Sequence, residues 1–397
     1  MKPLLALLCC CLPCTLWGWE VEDFSLRRDY LELENHLDFR AYQLTTRQRL
    51  DWATTRNGFA GSLGSISMER FYHDTELRIS KEPAPWLEVY LRQRQTEFAG
   101  PQTPATEVGL LFGGLWRFGP VGSPVHEKRG GDLGYALQYG QAQGAEFLRL
   151  SWINQDVFYN EKNVRSPNHD PAWNYAQTPV TRRLEAGWMA PGQLWQFAWE
   201  AQSNARLEAQ GRSMTRQGSQ AGVKLDGYVG ELASGLWHVR WWGQGEQRAE
   251  TSKQAKARQD IASHWAELAY DLPWGRHWRL EAGLAQMTYR NRIQGQDVAE
   301  DYDHQLRTNQ AFGFFEYALA QGSFLTTSLQ VGQADLRQGW PVERPPGDAS
   351  STELKAGLGY LFYRQRDLSL HANSTWDLDL VSSRKWDGGS VMLVFGF

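Results

Sequence analysis

The chain has 397 residues, a net charge of -4 and a mean hydropathy of -0.54. That balance gives no basic footprint for nucleic acid, and no run after residue 18 approaches the ~18 to 20 apolar residues of a membrane-crossing helix. Yet 19 Trp, 17 Phe and 15 Tyr exclude a disordered chain, so the apolar residues must be dispersed by alternation rather than bunched.

Residues 1–18 read as a secretory signal peptide. Lys2 supplies the charged start and LLALLCCCLPCTL (Leu4 to Leu16) the short apolar stretch, with cleavage expected near Gly18 although Leu16 and Gly18 depart from A-x-A. All four cysteines (Cys9, Cys10, Cys11, Cys14) fall inside this segment, and neither Cys11 nor Cys14 has the flanks of a lipidation site. The expected mature chain, 19–397, then has no thiol. Disulfides are excluded, as are thiolate metal sites and haem attachment through C-x-x-C-H.

Residues 19–29 read as a short lead-in. From there the dominant signal is period-two alternation. In Tyr30 to Tyr42, Leu31, Leu33, Leu37 and Phe39 alternate with Glu32, Glu34, His36, Asp38 and Arg40. Leu87 to Arg94, Leu133 to Tyr139 and Leu148 to Trp152 follow the same rule. Trp195, Phe197, Trp199 and Ala201 then alternate with Gln196, Ala198, Glu200 and Gln202. The pattern recurs over Trp237 to Trp241, Trp278 to Leu284, Leu325 to Val331 and Leu354 to Phe362. Several runs reach the ~9 to 11 residues that cross a bilayer at a tilt, longer than the ~5 to 6 of an average soluble strand.

The connections alternate as well. Tight turns are expected at Gly140–Gly144, Ala190–Gly192, Val229–Ser234, Pro273–Arg276, Ala320–Gly322 and Tyr363–Arg366. Long loops are expected at Gln155–Pro179, Ser203–Arg216, Gln244–Ile261, Tyr289–Arg307, Gln333–Ser350 and Asp377–Asp387. Turns on one side and loops on the other is the arrangement of a membrane barrel. Before residue 130 the sides are ambiguous: SKEPAP and AGPQTPA fit either, and GFAGSLGSIS fits a turn or a strand.

The chain ends in SVMLVFGF, with Val391, Leu393, Phe395 and Phe397 on one face. Ser390, Phe395 and Phe397 occupy the polar and the two hydrophobic places of the C-terminal sorting signal of Gram-negative outer-membrane β-barrel proteins, and Met392 stands where Gly is usual. The chain resembles that family at the level of architecture. The resemblance implies insertion by the barrel-assembly machinery and closure of the last strand onto the first. The expected fold is all-β: a transmembrane antiparallel up-and-down barrel with an even strand number, about 18 with about 16 as the alternative. Both termini would lie on the periplasmic side.

On this reading Trp195, Trp199, Trp237, Trp241 and Trp278 sit at the membrane interfaces. The opposite register faces the pore and carries Arg92, Arg94, Arg149, Glu200, His238, Arg240, Arg279, Glu281, Glu353 and Lys355. It also carries Glu185, Lys224, Asp226, Glu267, Glu316 and His371. A dry core could not hold these charges, whereas a wet channel can; cross-strand bracing of the wall is the other reading. Both signs are present, so strong ion selectivity is not indicated. Inward Trp242, Trp265, Phe312 and Phe314 suit either a sugar-stacking track or packing against an inward loop.

A porin-like channel for passive passage of small polar solutes is the expected function. One alternative is a conduit, receptor or export barrel housing a partner protein, such as a sheath for a multihaem cytochrome. A second is a rim hydrolase using His169–Asp170 with Asp156 and Glu161, or His304 with Asp301 and Asp303. No nucleophile stands at a defined spacing from either histidine, and P-loop, GxGxxG and HExxH are missing. No enzyme activity, cofactor or metal is therefore expected. The acidic run before His304 lacks the spacing of a calcium loop. Expected partners are outer-membrane lipid and lipopolysaccharide, the barrel-assembly machinery and small solutes.

Overall fold

Alternation of this length leaves one face of each strand apolar and the other polar, and a sheet of such strands escapes unpaired edges in lipid only by closing on itself. In the computed structural model the chain does so. Residues 44–397 are described, apart from 67–69, 98–104, 124–130, 142–144, 156, 158–172, 210–214, 252–255, 296–301, 321, 340–348, 366–367 and 379–385. The expected signal peptide and lead-in, the run Tyr30 to Tyr42, and Asp156, Glu161, His169, Asp170 and Asp301 lie outside the described residues.

The strands are β1 Gly58–Ile66, β2 Arg70–Ala84, β3 Leu87–Glu97, β4 Ala105–Gly113, β5 Trp116–Gly122, β6 Leu133–Gly140, β7 Phe147–Asn154, β8 Trp173–Gln177, β9 Val180–Ala190 and β10 Gln193–Ala209. They continue with β11 Thr215–Glu231, β12 Gly235–Thr251, β13 Lys256–Trp274, β14 Trp278–Gln294, β15 Tyr302–Ala320, β16 Ser323–Gly339, β17 Ala349–Gln365, β18 Leu368–Asp377 and β19 Trp386–Gly396. Each pairs antiparallel with its neighbours, and β1 closes the ring against β19, from Gly58 opposite Gly396 to Ile66 opposite Gly388. β8 and β9 are two parts of one wall strand. Both pair with β10, while β7 pairs with β9. Pro179, which has no N–H to give the ladder, stands at the break. The nineteen segments therefore build an 18-strand wall.

The tight turns expected at Ala190–Gly192, Val229–Ser234 and Pro273–Arg276 form there, while residues 142–144, 321 and 366–367 of the others lie outside the described residues. Gly192, Gly275 and Gly322 take φ of 71°, 72° and 80° at three of them, a region open to glycine at little cost. SKEPAP lies on this turn side and GFAGSLGSI is β1; AGPQTPA, apart from Ala105, lies outside the described residues.

The long loops need correction. β10 to β17 run 17 to 19 residues each and absorb most of what reads as loop. Gln244–Ile261 is strand as far as Thr251 and again from Lys256, and Tyr289–Arg307 is strand to Gln294 and from Tyr302. The charged residues there alternate as strictly as the apolar ones below them, and sheet pairing outweighs their polarity. Strands of this length rise about 45 Å at the usual tilt, beyond an apolar belt of about 25 Å. β4 to β7 have only 7 to 9 residues, so the wall is tall on one side and low on the other.

Outward positions carry the apolar belt. Trp86, Trp116, Trp188, Trp237, Trp274 and Trp278 are exposed on the wall near the turn side. Trp237 packs on Tyr270 (4.5 Å between rings) and Trp278 on Tyr317 (4.6 Å). Trp195 lies over Gly227, where a Cβ would meet its ring. Trp199 and Trp241 sit higher on the same outward face, Trp241 opposite Leu225 and Ala266. Val391, Phe395 and Phe397 also point outward, and Ser390 points in, bonded to Asn373.

Candidate functional site in the barrel lumen

Before β1, residues Thr46–Thr54 form a helix. Its start is written locally. Thr45 and Gln48 make a reciprocal capping box, Gln48 N donating to Thr45 Oγ1 (3.3 Å) and Thr45 N to Gln48 Oε1 (3.2 Å). The T-x-x-Q spacing is the available signal for it; the alternation read from Tyr30 ends at Tyr42, before it.

The helix lies inside the barrel near the turn side, and its partners come from strands spread round the ring. At its N-terminus, Thr46 N and Oγ1 both donate to the Glu281 carboxylate of β14, at 2.9 Å each. A carboxylate is favoured there by the helix dipole and the open N–H groups. Gln48 Nε2 donates to Ser369 Oγ of β18 (2.9 Å), and Gln196 Nε2 of β10 donates to Ala53 O (3.0 Å). On β2, Arg78 lies over the Trp52 ring at 4.2 Å, and Trp52 Nε1 donates to Glu76 (3.4 Å). Trp52 is buried with Ala60 and Val394, and Ala53 packs with Leu194, Tyr228 and Leu236.

The helix is also a carrier of positive charge. Arg49 pairs with Glu267 of β13 (3.5 Å) and Arg47 with Glu316 of β15 (3.9 Å). Beyond the helix, Arg56 reaches Glu82 (2.9 Å) and Glu88 (3.1 Å). Burial works against the Arg49 charge, but Glu267, Tyr228, Asp226 and Glu281 around it hold the guanidinium above its ordinary value.

The wall behind the helix is a network of paired charges. His238 of β12 is buried, with Nε2 3.8 Å from Asp226, Nδ1 3.5 Å from Glu267 and its ring stacked on Tyr228. Arg240 and Lys224 also reach Asp226, at 3.6 and 3.0 Å, and Arg279 pairs with Asp271. Across the lumen, Arg92 joins Glu76 (2.8 Å) to Glu185 (2.7 Å). Glu107 receives Arg149 (2.5 Å), Arg183 (2.6 Å) and the Tyr90 hydroxyl (2.7 Å). Arg183 passes on to Glu200, and Arg117 pairs with Glu88. Lys355 and Asp387 form a buried pair at 2.9 Å.

The ten residues expected to line the pore lie on the inward register. The helix brings His238, Glu281 and the neighbourhood of Arg240 and Arg279 together. Arg92, Arg149 and Glu200 belong to the network opposite. Lys355 stands with Asp387, and Arg94 and Glu353 touch no helix residue in the interactions above. Glu76, Arg78, Glu88, Glu107 and Arg183 belong to these networks too, beyond the residues expected from the sequence.

The aromatic residues need correction. Trp265, Phe312 and Phe314 are not an open track: they are buried with Met287 and Leu306 in one cluster, with Trp242 and Tyr289 packed against it. Inward apolar residues on adjacent strands of so large a wall cover one another. His304 and Asp303 do not form an acid–base pair, because β15 places His304 inward and Asp303 outward, where Asp303 meets Arg290.

A closed antiparallel 18-strand wall, apolar outside and charged within, defines a transmembrane β-barrel of the outer-membrane type. Among the described residues no helix is long and apolar enough to cross a membrane; the strands do so. No family model and no curated protein matches the chain. Solved structures similar to it include OccK10 (OpdN) of Pseudomonas aeruginosa, 13% identical with TM-score 0.40 over 87% of this chain and 98% of that one. The translocator domain of the autotransporter NalP from Neisseria meningitidis is 9% identical, with TM-score 0.34 over 94% and 100%. A loop-deletion mutant of OmpT, an outer membrane protein of Vibrio cholerae, is 9% identical, with TM-score 0.33 over 85% and 97%.

Proposed function

We propose that the protein is an outer-membrane channel for small polar solutes, exported after loss of residues 1–18, in which the inserted helix constricts the turn-side mouth. The carrying observation is the mode of attachment: the helix is held to the wall by side-chain bonds to Glu281, Glu267, Ser369 and Gln196. A barrel of this strand number encloses an aqueous lumen, and its paired charges suit water and polar solutes better than a dry interior. The expected solutes are uncharged or of either sign, since the wall carries both charges in pairs.

Planar-bilayer recording of the full chain and of a variant lacking residues 44–56 tests this. The variant should conduct in large steady steps, and the full chain in smaller or rarer ones. Silence from both, with a protein co-purifying, would overturn the channel reading in favour of a barrel that houses a partner.

A further inference from the structure

The inward face of the wall is not equally open all round. One cross-strand row runs from Lys224 on β11 through Trp242 and Trp265 to Met287, Thr308 and Ala334 on β14, β15 and β16. Lys224 stands exposed to the lumen, as do Glu200 on β10 and Arg94 on β3. Met287 and Thr308, in the same row as Lys224, keep only 1% of their surface. On β15 every inward residue from His304 to Glu316 is buried, polar Thr308 and Gln310 along with Leu306, Phe312 and Phe314. Neighbours in one wall screen a side chain sideways. They leave its tip open toward the barrel axis, and a lumen of this strand number is wide enough for water. The remaining cover of β13 to β16 must come from the axis side.

The described chain enters the lumen at the foot of this face. Thr46 is bonded to Glu281 of β14, which stands opposite Phe314 of β15. The run just before it, Tyr30 to Tyr42, carries Leu31, Leu33, Leu37 and Phe39 on one register and Glu32, Glu34, Asp38 and Arg40 on the other. Such a run needs cover for its apolar register, and the closed wall has no place for it: β1 is paired on both edges, with β2 and with β19. The covered face rises about 25 Å from Glu281 to Asn291 at the usual tilt, within the ~40 Å that the run reaches when extended. Its apolar residues match the cluster of Trp265, Met287, Leu306 and Phe312. Its acidic residues match Arg94 and Lys224, the exposed cations of the open side.

We propose that Tyr30 to Tyr42 docks inside the barrel, its apolar register against the inward face of β13 to β16 and its acidic register toward the open side of the lumen. The docked run extends the grip of the helix up the wall. It leaves the side lined by Arg94, Glu200 and Lys224 as the wet part of the lumen. The docking is independent of whether the lumen conducts.

Photo-crosslinking of the full chain, with p-benzoylphenylalanine in place of Phe39, tests it. Mass spectrometry should map the products to inward residues of β13 to β16, near Met287 and Thr308. Products only on lipid, on a loop or on another protein overturn the proposal, and so does the lack of any product on the wall. Thiol labelling gives a second measurement, because residues 19–397 contain no cysteine. In the full chain T308C should react at least about tenfold more slowly than K224C of the same row. In L33E/L37E/F39E, T308C should react as fast as K224C, with the heat-modifiable gel mobility of the folded barrel retained. Protection of T308C that survives in the folded triple variant overturns the proposal in favour of an inward loop. If the triple variant fails to assemble, the crosslink decides alone.

Discussion

Replacing Glu281 by Gln should loosen the lumen helix without disturbing the wall. The carboxylate accepts two bonds from Thr46, from N and Oγ1, at the helix N-terminus. Bonds to a charged acceptor contribute about 1.5 to 3 kcal/mol each, and a full negative charge at a helix N-terminus adds about 0.3 to 1 kcal/mol. Gln keeps one neutral acceptor, so about 2 kcal/mol of docking should be lost. That is about a 30-fold shift between docked and undocked helix. Gln48–Ser369, Arg49–Glu267 and Gln196–Ala53 remain, so the variant stays mostly docked and opens more often. Single-channel recording should show the conductance level of the barrel lacking residues 44–56 visited about 30 times as often as in the wild type. Glu200→Gln, on a half-exposed lumen carboxylate paired with Arg183, serves as the control and should leave openings unchanged. If the barrel without its helix conducts and E281Q opens no more often than the wild type, the helix is not docked through its N-terminal charge interaction, and the reasoning fails.

Three further outcomes follow from the same geometry. Removing residues 44–56 strips Arg49 from Glu267 and Arg47 from Glu316, so the opened pore should prefer cations, read as a shifted reversal potential in a salt gradient. Gly109→Val should destabilise the low side of the wall by about 1 to 3 kcal/mol. A Cβ there would lie 2.1 Å from the Tyr90 ring and push the Tyr90 hydroxyl off Glu107; the midpoint of urea unfolding measures it. F395A/F397A should lower the heat-modifiable folded fraction by impairing assembly, since both rings point outward and the seam bond Phe397 N to Asn57 O (3.0 Å) needs neither.

The sequence alone determined the wall. Alternation forces one face of each strand outward, and a one-residue slip would turn every Trp of the belt into the lumen, so the register of Trp195, Trp237 and Trp278 and of Arg92, Glu281 and Lys355 was legible residue by residue. The turns at Gly192, Gly275 and Gly322 were legible too, because glycine takes the positive φ they need at little cost. Strand ends beyond the belt were not, because there both faces are polar and only pairing with the neighbouring strand keeps the chain extended. Nor was the helix position: its capping box marks a helix start but says nothing of where a nine-residue helix goes. Only the closed ring brings Glu281 of β14, Ser369 of β18 and Glu76 of β2 around one lumen. That is why the partners of Thr46, Gln48 and Trp52, up to 321 residues away in the chain, belonged to the tertiary structure.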